Sequence, residues 1–543
     1  MRGDTLSSQV EQVRRLAADL AAGMSARARR SATIAQERAV LRMLGVDGLD
    51  RAGRPLAASL AERYCGSDPQ RLARGVLLPF VVATLEYDLP ARDLALDGAS
   101  GAIDLGLEAE LLERPDRLAA ATKTAAKLLA AAMARFDANR TAAREMREVL
   151  GRPDEPWLGA AVQAPEVAAA AAEAGSLVRS GAGLLQIRVP ASWEFAEARR
   201  LAGLETPGRF DAAAVSGAEP RRRASRPERP NGRAPAEPEE LVPAGSQRGL
   251  ATVRRAADEA AAERRRYAAL MTVTSAFAAP EQAVVAAFER IDFVRADPIR
   301  EIVEDNVYPD RAIADHSFAH RLQARAGSCV VVGPGPLALG ADLASGIPAD
   351  ATTRAGRALA LQALGVELAL ADGLPADKLL LGAVPDWIVG EAESSAILVQ
   401  AWLRRALFPD HRLVLDGSTA WLTSRSGFAA TVAAMAGARV SLVVEPELSG
   451  DVSGAASELA AAAATAEAVR TTLGGESIHA DGAHLASRTL RDAATALRGL
   501  AAEGWESLLG PAGGTDEELL GGSAVVERTN GPTSSDRLLG DLV

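Results

Sequence analysis

Lysine, cysteine and aromatic residues are scarce in this chain of 543 residues, and the scarcities exclude several classes of protein. Cys65 and Cys329 are too few and too far apart in sequence for a disulfide framework or a thiolate metal site. No apolar run approaches the roughly 18 residues that a membrane-spanning helix needs. The N-terminus is charged throughout and lacks the apolar segment of a signal peptide. We therefore expect a cytoplasmic protein that makes no membrane contact.

The charge balance narrows the set of partners further. The formal net charge is −11, whereas general affinity for nucleic acid requires a basic surface, so we expect no nucleic-acid partner. Hydrophobic residues make up 48% of the chain, and a large core can therefore form without cross-links. The length suits one large domain with appendages, or two or three domains.

Residues 1–150 are predicted to form a helical N-terminal region. Val10, Val13, Leu16, Leu20 and Met24 recur at spacings of three and four, which places them on one face of a helix. Further helices are predicted to end near residue 44 and to span 69–87, 108–112 and 117–150.

From residue 157 onwards, short apolar runs alternate with amphipathic helices. Eight such repeats match the number in a (β/α)8 TIM barrel, which we predict over residues 151–475, followed by a helical segment over 476–509. A doubly wound open sheet would show the same alternation and is the alternative fold. The eight predicted strands span residues 157–162, 184–189, 267–275, 293–296, 329–332, 379–384, 412–416 and 440–444.

A barrel would place chemistry on the loops that follow the C-terminal ends of its strands. These loops begin after Arg188, Ser275, Asp297, Gly333, Val384 and Asp416.

Two segments do not fit this alternation. Residues 206–245 are rich in Pro, Arg, Glu and Ala and show no periodicity, so we expect a disordered insertion there. Residues 510–543 contain few apolar side chains and are expected to form a flexible tail.

Deletion of residues 207–243 is expected to leave folding intact. The segment has no apolar periodicity, and closing a surface loop costs little additional entropy as its length changes. The melting temperatures of the intact and deleted chains provide the measurement. A large decrease after deletion would show that the segment packs against the rest of the protein.

The usual catalytic motifs are absent. The chain has no GxxxxGK[ST], HExxH or GxSxG sequence, and the glycines of VVVGPGPLALG, from residue 330, lack the spacing of a dinucleotide-binding loop. His316 and His320 could face one side of a helix as metal ligands. With Asp315 beside them, a surface or capping cluster is the more frequent arrangement, and we expect no metal site.

Lysine is more informative, because the chain contains only three. Lys123 and Lys127 fall in predicted N-terminal helices, and Lys378 precedes the sixth predicted strand, at the wrong end of a barrel. A carbonyl cofactor that needs a Schiff-base lysine would therefore have to take it from another chain.

Four stretches of the sequence resemble the α subunit of D-lysine 5,6-aminomutase, in family order and spacing. The resemblance implies a helical region and a barrel that covers pyridoxal phosphate and adenosylcobalamin. It also implies a separate β subunit that carries the cobalamin-binding Rossmann domain and the Schiff-base lysine, whereas the DxHxxG cobalamin motif is absent here. The stretches are QVEQVRRLAADLAAG, ERAVLRMLGVDGLDRAGRPL, APEQAVVAAFERIDFVRADPIREIVEDNVYPDRAIADHSFAHRLQARAG and GVELALADGLPADKLLLG.

The resemblance carries over some cofactor-binding residues and not others. The family's arginine near the cofactor phosphate falls on Arg188, and a following serine corresponds to Ser192, displaced by one position. The serine near the pyridine ring falls on Ser275. In contrast, a family tyrosine falls on Arg300 and a family arginine on Asp305.

Two longer segments also depart from the family. An acidic and amide cluster is replaced by Pro334-Gly335-Pro336, and a Gly/Thr-rich segment by the Pro/Arg-rich insertion. The resemblance implies an aminomutase subunit, in which a radical 1,2-shift moves an amino group on lysine or a related diamino acid. A catalytically degenerate barrel that serves as a partner-binding or regulatory subunit is the alternative. Arg188 and Ser275 favour the enzyme, and the lost acidic cluster favours the alternative.

Overall fold

A computed structural model provides the structure of the chain. None of the helices that it describes is long and apolar enough to cross a membrane. The described residues are 2–50, 54–66, 68–153, 155–162, 164, 166–187, 247–274, 277–305, 307–333, 351–383, 394–416, 431, 434–435, 438–444, 452–473, 480–508 and 525–527.

Eight parallel strands close into a barrel, which confirms the predicted (β/α)8 fold and rules out the open sheet. Each strand pairs with its neighbours in chain order, and the last strand pairs with the first. The barrel strands are β2 (Trp157–Val162), β3 (Leu184–Ile187), β4 (Ala269–Val273), β5 (Phe293–Arg295), β6 (Cys329–Val332), β7 (Leu379–Ala383), β8 (Arg412–Asp416) and β9 (Val440–Val444).

Helices cover the outside of the barrel and continue beyond its last strand. Their alternation with the strands confirms the repeat that the sequence predicts. They are α9 (Val167–Ser180), α10 (Gln247–Arg264), α11 (Ala279–Phe288), α12 (Pro298–Asp305), α13 (Pro309–Ala326), α14 (Ala351–Ala371), α15 (Ser394–Leu407), α16 (Val452–Leu473) and α17 (Ala480–Glu503).

The N-terminal region is helical, as predicted, and precedes the barrel. One predicted helix, over 69–87, is instead two, because Gly75 adopts φ +81° and the carboxylate of Glu37 accepts the amide N–H of Val76 at 2.6 Å. The helices are α1 (Arg2–Ala28), α2 (Ile34–Met43), α3 (Leu56–Cys65), α4 (Pro69–Arg74), α5 (Leu77–Tyr87), α6 (Ala91–Ser100), α7 (Leu105–Glu110) and α8 (Pro115–Leu150).

This N-terminal region belongs to two different hydrophobic cores. Helix α1 packs on α14, α13 and α17, and its Val13 and Met24 join the core that lies outside the barrel strands. Helices α2 to α8 form a second core together with α11 and α13. The barrel and the N-terminal helices therefore share buried surface along α11 and α13.

A two-stranded antiparallel sheet was not predicted from the sequence. Strand β1 (Ser31–Thr33) pairs with β10 (Val525–Glu527), so the expectation of a flexible tail does not hold for residues 525–527. The physical reason is a backbone pairing between segments almost 500 residues apart, which local composition does not encode.

The barrel interior is filled by one side-chain cluster to which all eight strands contribute. At its N-terminal end the rings of Trp157 and Phe293 pack edge to face, with centroids 5.6 Å apart, and Tyr267 is buried beside them. Because side chains alternate along a strand, the next inward positions toward the C-terminal end on β3, β5 and β7 are Gln186, Arg295 and Gly382. Large rings thus fill the lower end, whereas small and polar residues line the upper interior.

A buried carboxylate connects α1, α13 and the end of α14. Asp372 accepts hydrogen bonds from the hydroxyls of Ser25 at 2.7 Å and Ser317 at 2.9 Å, and it faces His320 Nδ1 at 2.9 Å. Burial alone would raise the pKa of Asp372, but these partners outweigh burial and hold its pKa below the ordinary value.

The substitution Asp372→Asn is expected to lower the free energy of unfolding by about 2–3 kcal/mol near neutral pH. A carboxyl whose pKa is lower in the folded state stabilises that state above the unfolded pKa, and the contribution disappears as pH falls through the folded pKa. The difference between wild type and variant should therefore shrink below about pH 4. Urea unfolding from pH 7 to pH 3 measures it, and a difference that stays constant would contradict this assignment.

Candidate functional site

The three residues predicted to bind the cofactor, Arg188, Ser192 and Ser275, lie outside the described residues. The residues just before Arg188 and Ser275 are described: Ile187 ends β3, and Thr274 follows β4. Leu184 and Gln186 on β3, like Ala269 and Met271 on β4, face the barrel interior. Positions 188 and 275 continue these two alternating series in the sequence.

Gln186 and Arg295 are the polar residues of the upper barrel interior among the described strands β3 and β5. Gln186 is 2% exposed, and its Oε1 has no hydrogen-bond partner among the described residues. Arg295 is also buried and continues the inward series of Phe293. A buried acceptor and a buried guanidinium at the C-terminal end of a barrel suit a polar or anionic ligand.

Asp297 follows β5, as predicted, but in the structure it binds backbone groups. Its Oδ1 accepts the amide N–H of Ile299 at 2.9 Å, and its Oδ2 accepts the amide N–H of Gly333 at 3.0 Å. Asp297 thereby supports the start of α12 and joins the ends of β5 and β6. Burial raises the pKa of this carboxyl.

Glu301 and His316 form a buried acid–base pair behind the end of β5. Glu301 Oε1 lies 3.1 Å from His316 Nε2 and accepts the hydroxyl of Thr274 at 3.1 Å. The prediction that His316 and His320 form a surface or capping cluster is wrong: both are 0% exposed, and each faces a carboxylate. Helix α13 is buried on most of its circumference, which periodicity alone does not indicate.

Arg300, which the resemblance matches to a family tyrosine, is turned toward the wall of the barrel. Its Nη2 donates to the carbonyl oxygen of Thr274 at 3.0 Å and lies 3.8 Å from Glu301 Oε1. Its side chain is therefore attached to the loop that follows β4. The side chain of Asp305 lies outside the description.

The opposite end of the same loop is bound by the N-terminal region, which the sequence did not predict. Arg38 of α2 donates through Nη2 to the carbonyl oxygen of Phe277 and through Nε to Glu281 at 2.8 Å. Arg42 reaches the same carboxylate at 3.3 Å. These residues are 243 and 239 positions from Glu281, and nothing in local sequence could have paired them.

No group of three or more His, Cys, Asp or Glu side chains that could hold a metal ion occurs within the described ranges. Asp297 and Arg300 bind backbone groups, and Glu301 faces His316. Together they make a barrel with a polar upper interior and a loop after β4 that is bound at both ends.

Fold and site define the chain as a (β/α)8 barrel protein whose C-terminal strand ends surround a polar interior. The chain matches the family described as "D-Lysine 5,6-aminomutase TIM-barrel domain of alpha subunit" over residues 5–191 and 244–441. Because the match covers more than half of the chain, the protein belongs to this family. Arg188 and Ser275 lie within the matched residues, and Ser192 lies just beyond the first range.

One curated relative is the lysine 5,6-aminomutase alpha subunit of Fusobacterium nucleatum. It is 27% identical over 179 residues, which are 33% of this chain and 33% of the relative. The chain therefore matches about a third of the length of this relative.

Proposed function

We propose that this chain is the α-type barrel subunit of an aminomutase that depends on adenosylcobalamin and pyridoxal phosphate. The reaction would move an amino group to the adjacent carbon of lysine or a related diamino acid. The observation that carries the proposal is the family match on both sides of the insertion, which includes β2 to β8 completely and the start of β9. The name of the Fusobacterium relative supports the same reaction.

The upper interior of the barrel suits such cofactors. Pyridoxal phosphate would supply a carbonyl group that binds the amino group of the substrate, and adenosylcobalamin would supply a radical. Arg295 gives the interior a buried positive charge, and Gln186 offers an acceptor that has no partner in the described part of the chain. Gly382 leaves the inward face of β7 without a side chain at this level.

Three residues of this chain are proposed to contact pyridoxal phosphate. Arg188 would anchor the phosphate, because a guanidinium donates paired, charge-assisted hydrogen bonds to a dianion. Ser192 would add a hydroxyl near the same group. Ser275 would face the nitrogen of the pyridine ring.

The proposal also requires a partner subunit. Lys123 and Lys127 are exposed on α8, and Lys378 precedes β7 at the N-terminal end of the barrel, so none of the three lysines reaches the upper interior. A β subunit would supply the lysine that attaches pyridoxal phosphate and the Rossmann domain that binds cobalamin. Both cofactors would then be shared between the two chains.

The test is titration of pyridoxal phosphate into the complex with the β subunit, with wild type and Arg188→Ala. Loss of the anchor should weaken binding roughly tenfold or more, because a hydrogen bond to a charged group contributes about 1.5–3 kcal/mol. Arg179→Ala is the control, since Arg179 is an exposed arginine on α9 that pairs with Glu263 on the surface. Equal affinity of wild type and Arg188→Ala would exclude the anchor.

A catalytically degenerate barrel is the second candidate, and Arg300 favours it. The residue at the family's tyrosine position is an arginine that binds the backbone of Thr274. A partner-binding or regulatory subunit needs the barrel surface but not the cofactor. Failure of both wild type and variant to bind pyridoxal phosphate within the complex would support this candidate.

A further inference from the structure

Phe277 has an unusual backbone conformation in the loop between β4 and α11. Its φ is +66°, although it is neither glycine nor asparagine, and its side chain is 1% exposed. The other described non-glycine residues with positive φ, Asp88, Arg265 and Arg290, each come just after a helix, where this conformation is common. Phe277 instead lies between a strand and a helix, where a bulky residue adopts it only if the surroundings enforce it.

Two arginines from different elements enforce this conformation. Arg38 of α2 donates to the carbonyl oxygen of Phe277, and the guanidinium carbon of Arg311 lies 4.2 Å from the centroid of its ring. Both arginines are 1% exposed. Backbone and side chain of the same residue are thus bound from two directions.

Each arginine is in turn held by a carboxylate. Glu281, in the first turn of α11, binds Arg38 and Arg42 together. Asp315 lies 3.7 Å from Arg311 Nε and accepts the hydroxyl of Thr33, the residue that caps α2. The contacts close a ring from α2 through the loop and α13 back to α2.

Arg311 packs on the phenyl ring at the expense of ordinary hydrogen bonds. Its Nη2 has no partner within the described part of the chain, and burial lowers its pKa to about 10. Placing a guanidinium there is unfavourable unless its contact with the ring compensates, since a buried cation gains most from a desolvated aromatic face. The contact between the guanidinium and the ring therefore stabilises both side chains in this arrangement.

The other end of the loop is bound as well. Thr274 donates its amide N–H to the carbonyl oxygen of Arg295 at 2.9 Å and accepts Arg300 on its own carbonyl oxygen. Only residues 275 and 276 separate these two bound ends in the sequence. The loop is also one of those that border the mouth of a TIM barrel, where catalytic groups lie.

We propose that the N-terminal helical region positions this mouth loop, with Arg38 and Arg311 as positioning residues that act through Phe277. The link to ligand binding rests on the proposed function, because it assigns Ser275 to the cofactor. The N-terminal region is then part of the scaffold of the site and not an appendage of the barrel.

The matched pair of variants is Arg38→Met and Arg42→Met. Both arginines bind Glu281 from buried positions on α2, and among the contacts of the described residues it is Arg38 that also donates to the carbonyl oxygen of Phe277. Hydrogen exchange of the amides of residues 274–279 in the full chain is expected to quicken roughly tenfold in Arg38→Met and to stay near wild type in Arg42→Met. The exchange rate in Arg38→Lys, which keeps a charged donor but loses the planar guanidinium with its paired N–H groups, should lie between the rates of these two variants.

Phe277→Leu provides the same test if Arg38→Met does not fold. It removes the ring under Arg311 and leaves the ion pairs of Glu281 intact, so exchange in residues 274–279 should again quicken. Unchanged exchange in these variants, or equal exchange in both arginine variants, would overturn the proposal.

A second measurement tests the link to ligand binding. In the complex with the β subunit, Arg38→Met should bind pyridoxal phosphate roughly tenfold more weakly than Arg42→Met. Faster exchange with unchanged affinity would show that Arg38 holds the loop but that the loop does not position the ligand. This result would overturn the proposed link to ligand binding. Absence of binding in wild type would reject the proposed function, and hydrogen exchange would then decide the positioning of the loop by itself.

Discussion

Glu281→Ala is expected to lower the free energy of unfolding by at least about 4 kcal/mol, since removing one partner of a buried ion pair costs about 3–5 kcal/mol. Here two cations lose this carboxylate, and the side chains of Arg38 and Arg42 are only 1% and 2% exposed. Neither side chain can reach water without moving α2 away from α11. Chemical denaturation followed by circular dichroism measures the effect.

The control for Glu281 is Glu263→Ala on the surface. Glu263 pairs with Arg179 at 2.7 Å, a distance similar to that between Arg38 and Glu281, but both partners are more than half exposed. Solvent already screens this pair, and we expect no measurable loss of stability. A loss in Glu281→Ala no larger than in Glu263→Ala would show that the buried carboxylate is not required.

A triple variant separates the stability of this cluster from its role at the barrel mouth. Replacing Arg38, Glu281 and Arg42 by Met, Leu and Met removes all three charges while keeping similar volumes, and such replacements are often neutral or stabilising. Most of the stability lost in Glu281→Ala should return. The hydrogen bond to the carbonyl of Phe277 would still be missing, so exchange in the mouth loop should remain fast. Recovery of stability without recovery of the loop is the result that a purely structural cluster would not give.

The barrel could be predicted from the sequence because its strands are short, mostly apolar runs that alternate with helices. Leu379–Ala383 is an example of such a run. The pairing of Ser31–Thr33 with Val525–Glu527 could not be predicted, since three-residue strands carry no periodic signal and their partners are far apart in sequence.

Around the candidate site, too, some features could be predicted from the sequence and others could not. The positions of Asp297 and Gly333 just after strands β5 and β6 were predicted correctly, because the order of strands and loops along a barrel chain shows which residues follow each strand. The burial of His316 was not predicted, because its partner Glu301 lies on another helix and the i,i+4 spacing with His320 suits an exposed face equally well. Arg38 likewise looks like an ordinary charged residue of an amphipathic helix until Glu281 is placed against it.

Asp292, at the lower end of the barrel, is a buried carboxylate that accepts hydrogen bonds from several buried donors, as Glu281 does beside the mouth of the barrel. Its Oδ1 accepts the hydroxyl of Tyr267 at 2.6 Å, and its Oδ2 accepts the amide N–H of Leu270 at 3.0 Å and Arg254 Nη1 at 3.3 Å. Burial raises the pKa of Tyr267, so the hydroxyl stays a donor at all ordinary pH values. The carboxylate of Asp292 thus accepts hydrogen bonds from three buried donors: the amide of Leu270 on β4, the guanidinium of Arg254 on α10, and the hydroxyl of Tyr267, which lies two residues before β4.

Asp292→Ala should therefore destabilise the protein by about 4–6 kcal/mol, since each buried donor left without an acceptor costs about 1–3 kcal/mol. Asp292→Asn, which keeps an acceptor oxygen but no charge, should lose about half as much, and Tyr267→Phe only about 1 kcal/mol. The ranking can be measured by urea unfolding of the three variants against wild type. Equal losses in Asp292→Ala and Tyr267→Phe would mean that Arg254 and Leu270 find other acceptors. The intermediate loss in Asp292→Asn follows from this geometry: Arg254 and the amide of Leu270 both donate to Oδ2, so an amide oxygen in that position still accepts from both, whereas the hydroxyl of Tyr267 loses its acceptor and Arg254 loses the charge of its partner.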